Sequence, residues 1–120
     1  MALTAEQIFA ADDLGLKRVS IKEWPAADGT PGELFIRVLS VGARDEYERM
    51  WIGKKETGIE NFRSEYLARC LCDEKGVLVF SHDQVAKLAA KSGAVVSKLF
   101  DLALAHNNMT EADVEELGKS

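Results

Sequence analysis

The chain is predicted to be an α+β domain: a small antiparallel sheet of about four strands, built from two hairpins, with N-terminal, central and C-terminal helices. Three observations carry this prediction. Apolar residues alternate on both sides of a turn-rich loop within 16–39. A second apolar stretch, 64–80, is interrupted by Asp73-Glu74-Lys75-Gly76, an acidic-Gly sequence suited to a hairpin turn. Between and after these, in 43–55 and 82–117, apolar residues return at helical spacing.

Each element has a local reason. Thr4 followed by Gln7 is a capping-box pattern that starts an N-terminal helix within 1–14, with Gly15 available to end it. In LKRVSIKEW, Val19 and Ile21 share one face, and Trp24-Pro25 stops the strand because proline has no N–H for a ladder. AADGTPG is a loop of turn formers. ELFIRVLSV resumes the alternation, with Leu34, Ile36 and Val38 on one face and Phe35, Arg37 and Leu39 on the other.

From Ala43 to Lys55, Tyr47, Met50 and Trp51 recur at helical spacing with charged residues between them. TGIEN interrupts that helix. FRSEYLARCLC fits helix or strand by periodicity, and the turn that follows favours strand for its second half, with VLVF as the return strand. Ser81 and Gln84 form a second capping box, and Val85, Leu88 and Ala89 share a face of the helix it starts. Gly93 breaks that pattern. Val95, Val96, Leu99, Phe100, Ala103 and Leu104 then define a second apolar helical face that ends at Asn107-Asn108. Thr110 caps a last acidic helix, EADVEEL, expected to be exposed. No internal repeat or long linker divides the chain, so 1–120 reads as one domain.

Composition narrows the function classes. Fifteen Lys and Arg against twenty Asp and Glu leave a net charge of −5, which argues against a phosphate-backbone partner. No apolar run reaches the roughly 20 residues of a membrane span. MALTAEQIFAADD lacks the basic start and apolar centre of a signal peptide, so a cytoplasmic protein is expected. Cys70 and Cys72 would point the same way in a strand, about 7 Å apart, which suits two reduced thiols better than a disulfide.

The motifs that suggest chemistry are thin. Cys70, Cys72 and His82 fall short of a tetrahedral metal set, and no C-x-x-C pair exists. Nothing sets a base against either thiol. Gly118-Lys119-Ser120 echoes the end of a phosphate-binding loop, but Asp113 stands where the earlier glycine should be. Asp12-Asp13 and Glu115-Glu116 are adjacent on helices and so do not converge. No enzyme, cofactor or metal is expected. Trp24 and Trp51 suit binding anchors or core packing, and core is favoured. KLAAKSGAVVSKLFDLAL has the spacing of two helices at a tight turn. Its second helix offers Lys98 beside Asp101, too little charge to hold several phosphates. A small nucleic-acid-binding or regulatory domain using 83–106 stands as the second reading.

The chain resembles the tail assembly chaperones of long-tailed bacteriophages. The resemblance runs over residues 15 to 118. It rests on the strand ending in Trp24-Pro25, ELFIRVLS, the polar helix from Ala43, the hairpin LCDEKGVLVF, the Asp83-to-Leu88 helix start, and the helix ending at Asn107-Asn108 before an acidic tail. It implies a non-enzymatic protein of an infected or lysogenic bacterium that is absent from the mature virion. Proteins of this family bind the tape measure protein, a long helical rod, and keep it soluble during tail assembly. The chain would match the short form of members also made as a longer frameshifted product. The tail tube protein and a homo-oligomer are left open as further contacts. Holding an apolar helix needs an exposed apolar groove. The αα-hairpin at 83–106, through Val95, Val96, Leu99 and Phe100, is where that groove is expected, with core packing the favoured alternative for most of the four.

Overall fold

The computed structural model describes residues 1–54 and 56–117. Lys55, the expected end of the central helix, and the Gly118-Lys119-Ser120 triplet lie outside them. Helix α1 (Ala5–Ala10) opens on the expected capping box: the Thr4 hydroxyl accepts the Gln7 N–H at 3.2 Å, and Gln7 Oε1 accepts the Thr4 N–H at 2.9 Å. It is shorter than the 1–14 stretch assigned to it. Asp12 and Asp13 follow its C-terminal end, where negative charge opposes the helix dipole. Every residue from Met1 to Arg18 is exposed, so no packing extends the helix.

Strands β1 (Leu16–Pro25) and β2 (Pro31–Arg37) form the first hairpin, antiparallel, with Leu16 opposite Arg37 and Ile21 opposite Gly32. Val19 and Ile21 are buried, on the face their alternation marked. The register shifts between Ile21 and Pro25, and there the Trp24 carbonyl approaches Gly32 so closely that a Cβ at Gly32 would overlap it. Pro31-Gly32 thus belongs to strand, although its composition reads as loop. At the other end Gly15 is pinned, its carbonyl accepting the Val38 N–H at 3.2 Å and bonding His106 Nε2 at 2.9 Å.

Helix α2 (Val41–Trp51) is capped by Ser40, whose hydroxyl accepts the Ala43 N–H at 3.2 Å. It stops before Gly53, which takes a left-handed φ of 76°, so the helix does not run on toward residue 55. The next segment departs most from the sequence reading. Phe62–Cys70 is a helix, α3, and the strand expected there shrinks to β3, Leu71–Cys72. Among the described residues the sheet therefore has three strands in the order β1-β2-β3, not four. The return segment is held by a single bridge from Leu78 to Cys72 and by the Val79 N–H donating to the Leu71 carbonyl at 3.1 Å.

The turn itself forms as its chemistry requires. Gly76 has φ 83°, and Asp73 Oδ1 accepts the N–H groups of Lys75 and Val77 at 2.8 and 3.0 Å. Burial explains why α3 was misread. Ser64, Tyr66, Leu67, Ala68, Arg69 and Cys70 are all buried, so the helix has no polar face to show a 3.6-residue period.

After the turn, the Ser81–Gln84 capping box starts a short 3₁₀ turn that continues into α4 (Val85–Leu88). Helix α5 (Gly93–His106) buries Val95, Val96, Leu99, Phe100, Ala103 and Leu104, the whole face that sequence spacing defined. Asn107 closes it. Its side-chain oxygen accepts the Leu39 N–H at 2.7 Å, and its amide donates to the Arg37 and Ala103 carbonyls at 3.3 and 3.0 Å. Helix α6 (Glu111–Leu117) follows the Thr110 cap and buries Val114.

The core lies where α2, α3 and α5 meet the sheet. Five aromatic rings close a circuit of edge-to-face contacts: Tyr47 to Trp51, Trp51 to Phe62, Phe62 to Phe100, Phe100 to Tyr66, and Tyr66 back to Tyr47. Centroid separations run from 5.1 to 6.4 Å. Pairs of this geometry contribute about 0.5–1.5 kcal/mol each beyond their burial. Beside the circuit, buried Arg69 pairs with Glu65 at 2.9 Å on its own helix and with Glu46 of α2 at 2.6 Å. That pairing satisfies a charge that would otherwise be costly to bury.

Candidate partner-binding site

The residues first expected to bind a partner do not form an open groove. Val95 and Val96 are each 7% exposed, Leu99 2% and Phe100 1%, all inside the core cluster. The αα-hairpin they lie on also differs from a DNA-reading pair. Its first helix, α4, is a single turn, and the exposed part of α5 carries Lys98 beside Asp101.

An open apolar surface does exist at the far end of the first hairpin. Trp24 at the end of β1, Val79 and Phe80 of the return segment, and Leu88 of α4 line a groove of about 290 Å³, with Lys87 and Lys91 at its edge. Each wall has a local cause. The Gly32 close approach fixes the strand end that carries Trp24. The Asp73–Gly76 turn brings back Val79 and Phe80, and the Ser81 capping box sets the helical turns that present Leu88 and the two lysines. Trp24 and Phe80 are half-buried, each packing one side on the core, while Val79 is exposed. An apolar floor with a cationic edge suits an apolar peptide segment flanked by acids. Lys91 also borders a second depression, of about 240 Å³, beside Phe62, Arg63 and Val96.

Trp24, which the sequence favours for core over a binding anchor, packs on the core and also lines the groove. Phe80, Lys87 and Lys91 were missed, because what joins them to Trp24 is tertiary. The one local signal was a tryptophan immediately before a strand-ending proline.

The groups whose titration the fold shifts do not line this groove. Burial pushes the Cys70 thiol from about 9 up to about 12 and the Tyr47 hydroxyl from about 10 up to about 12, and it raises Tyr66 further. Burial also raises the Cys72 thiol, which lies against the Phe35 carbonyl at 3.4 Å. These are packed, protonated side chains, and a protonated thiol is a poor nucleophile. His82 is exposed, and among the described residues no group of three or more His, Cys, Asp or Glu could hold a metal. Asp28 and Asp83 are lowered chiefly by hydrogen bonds from Thr30 and Ser81, which fix turns. His106, in the last turn of α5, bonds the Gly15 carbonyl and so ties the helix end to the start of β1.

No protein-family model and no curated protein matches the chain. Among solved structures it is similar to the tail assembly chaperone of bacteriophage HK97, at 20% identity and a TM-score of 0.55, over 88% of this chain and 94% of that one. The family suggested by the sequence motifs is thus met by a solved structure of that description across nearly the whole length of both chains. The chain has the fold of a bacteriophage tail assembly chaperone.

Proposed function

We propose that the protein is a phage or prophage tail assembly chaperone that binds the tape measure protein and keeps it soluble while the tail is built. The observation that carries this reading is the fold shared with the HK97 chaperone along almost all of both chains. The open groove adds physical support, since holding an aggregation-prone helical rod calls for apolar surface that is accessible in the free protein. The role is non-enzymatic and needs no cofactor. It would be carried out in the cytoplasm of the bacterial host, and the chaperone would be left out of the finished virion.

Co-expression with the tape measure protein of the same genome tests this. Wild-type chaperone should move the tape measure protein from the insoluble to the soluble fraction and co-purify with it. An unchanged insoluble fraction, with the chaperone itself folded, would refute the proposal. Val79→Asp, at an exposed position of the groove, should weaken the rescue without unfolding the protein. The second reading, a nucleic-acid-binding domain, predicts rising fluorescence anisotropy with DNA at low salt and micromolar protein.

A further inference from the structure

The first turns of two helices line one depression. Helix α3 brings Phe62, Arg63 and Ser64, and α5 brings Gly93 and Val96, around a volume of about 240 Å³ that shares Lys91 with the apolar groove. Neither helix start is fully capped. Asn61, before α3, takes a left-handed φ of 56° and its side chain makes no cap hydrogen bond. The N–H groups of Phe62, Arg63 and Ser64 therefore have no partner among the described residues. At α5 the Ser92 hydroxyl accepts the Val95 N–H at 3.4 Å, which leaves those of Gly93 and Ala94 free. Unpaired N–H groups and the positive end of the helix dipole make such starts attractive to anions.

The side chains point to the same ligand. Arg63 is held over the Phe62 and Phe100 rings, its guanidinium carbon 4.6 and 5.7 Å from their centroids, and its Nε is buried without a hydrogen bond. Among the described residues neither Arg63 nor Lys91 takes part in an ion pair, and no acidic side chain lines the depression. Ser64 is only 4% exposed, reaches the surface in the depression, and has a hydroxyl with no hydrogen-bond partner. A buried hydroxyl left so is costly, and an anion seated beside it removes the cost. We propose that the depression is a carboxylate-binding site whose occupant is an acidic side chain of the bound client. The Arg63 guanidinium, the Ser64 hydroxyl and the free N–H groups hold the carboxylate oxygens, and Lys91 adds a second positive charge. A net charge of −5 repels a polyanion such as a nucleic acid. Phe62, Ala89 and Val96 give the depression apolar walls, which suit an acid carried on a protein segment. The identity of the client rests on the tape measure reading; the carboxylate site does not.

Gly93 is exposed, with open space where a Cβ would sit, and it supplies a matched pair of full-length variants. Gly93→Asp plants a carboxylate at the site, where an acid also favours the helix start; Gly93→Asn is the neutral control of the same shape. Amide NMR spectra titrated with acetate, at constant pH and ionic strength, read occupancy. In the wild type and in Gly93→Asn, the amides of residues 62–64, 93 and 94 should shift together and saturate in the millimolar range. In Gly93→Asp that response should be lost. Flat amides in the folded wild type, or shifts with inorganic phosphate and none with acetate, would overturn the proposal. So would an acetate response that Gly93→Asp leaves intact. A soluble tape measure segment tests the occupant: Gly93→Asp should weaken its binding about tenfold or more relative to Gly93→Asn. Equal affinities would overturn the choice of a client acid. A wild type that binds acetate but no such segment would refute the tape measure reading and support the carboxylate site.

Discussion

The packed core and the open surface of this molecule solve opposite problems. Where α2, α3 and α5 meet, five aromatic rings close on one another, the Arg69 pairing links two helices, and Asn107 ties helix to strand. Around Trp24 and Phe80, and separately on α1 beyond the other end of β1, the same types of side chain are left half-covered or bare. The difference lies in completion, since apolar residues are plentiful in both regions. In the core every large ring has ring neighbours on two sides, whereas Phe9 has none and Trp24 packs along one side. A chain of this length buries enough surface to fold without covering every apolar side chain, so the second region can stay open in the free protein.

Substitutions should separate the two ends, the core giving the largest effects. Leu99→Asp places a charge in a position only 2% exposed and should abolish the cooperative thermal transition seen by circular dichroism. Phe100→Ala opens the aromatic circuit and should cost about 3–5 kcal/mol in denaturant unfolding. Gly32→Ala pushes a methyl against the Trp24 carbonyl and should cost roughly 1–3 kcal/mol. It should also shift the tryptophan emission, which a purely global loss of stability would not do below the transition.

Alkaline pH probes the core in a different way. Burial raises Cys70 from about 9 toward 12 and Tyr47 from about 10 toward 12, so above pH 9 the unfolded chain releases protons that the folded chain keeps. Stability should be level between pH 7 and 9 and fall steadily above pH 9. Reaction of Cys70 with a thiol reagent should be slow at pH 8 and should accelerate as the fold opens. The smallest effect belongs to the exposed surface: Phe9→Asp should change unfolding free energy by no more than about 0.5 kcal/mol.

What the sequence revealed follows the same division. Features set by neighbours along the chain were legible, including the capping boxes at Thr4 and Ser81, the Asp73–Gly76 turn, the alternation at Val19 and Ile21, and the six-residue face of α5. Helix α3 was not, because a segment buried on every side erases the periodicity by which helix and strand are told apart. The expected third strand is thereby cut to Leu71–Cys72, too short to pair with a full return strand, so among the described residues VLVF makes one bridge and no fourth strand. The groove was hidden for another reason: Trp24 and Leu88 are far apart in sequence, and only the packed fold makes them neighbours. The apolar face of α5 was correctly located but assigned to a partner, since apolar spacing reports that a face is covered and not by what.

Hydrogen exchange on the purified protein, with and without a soluble segment of the tape measure protein proposed as its partner, probes the central claim most directly. Amides of residues 77–91, which build one side of the groove, should exchange fast in the free protein and slow markedly in the complex, while α3 and α5 stay equally protected in both. A complex that forms with 77–91 unchanged and protection elsewhere, or no complex at all, would contradict the account.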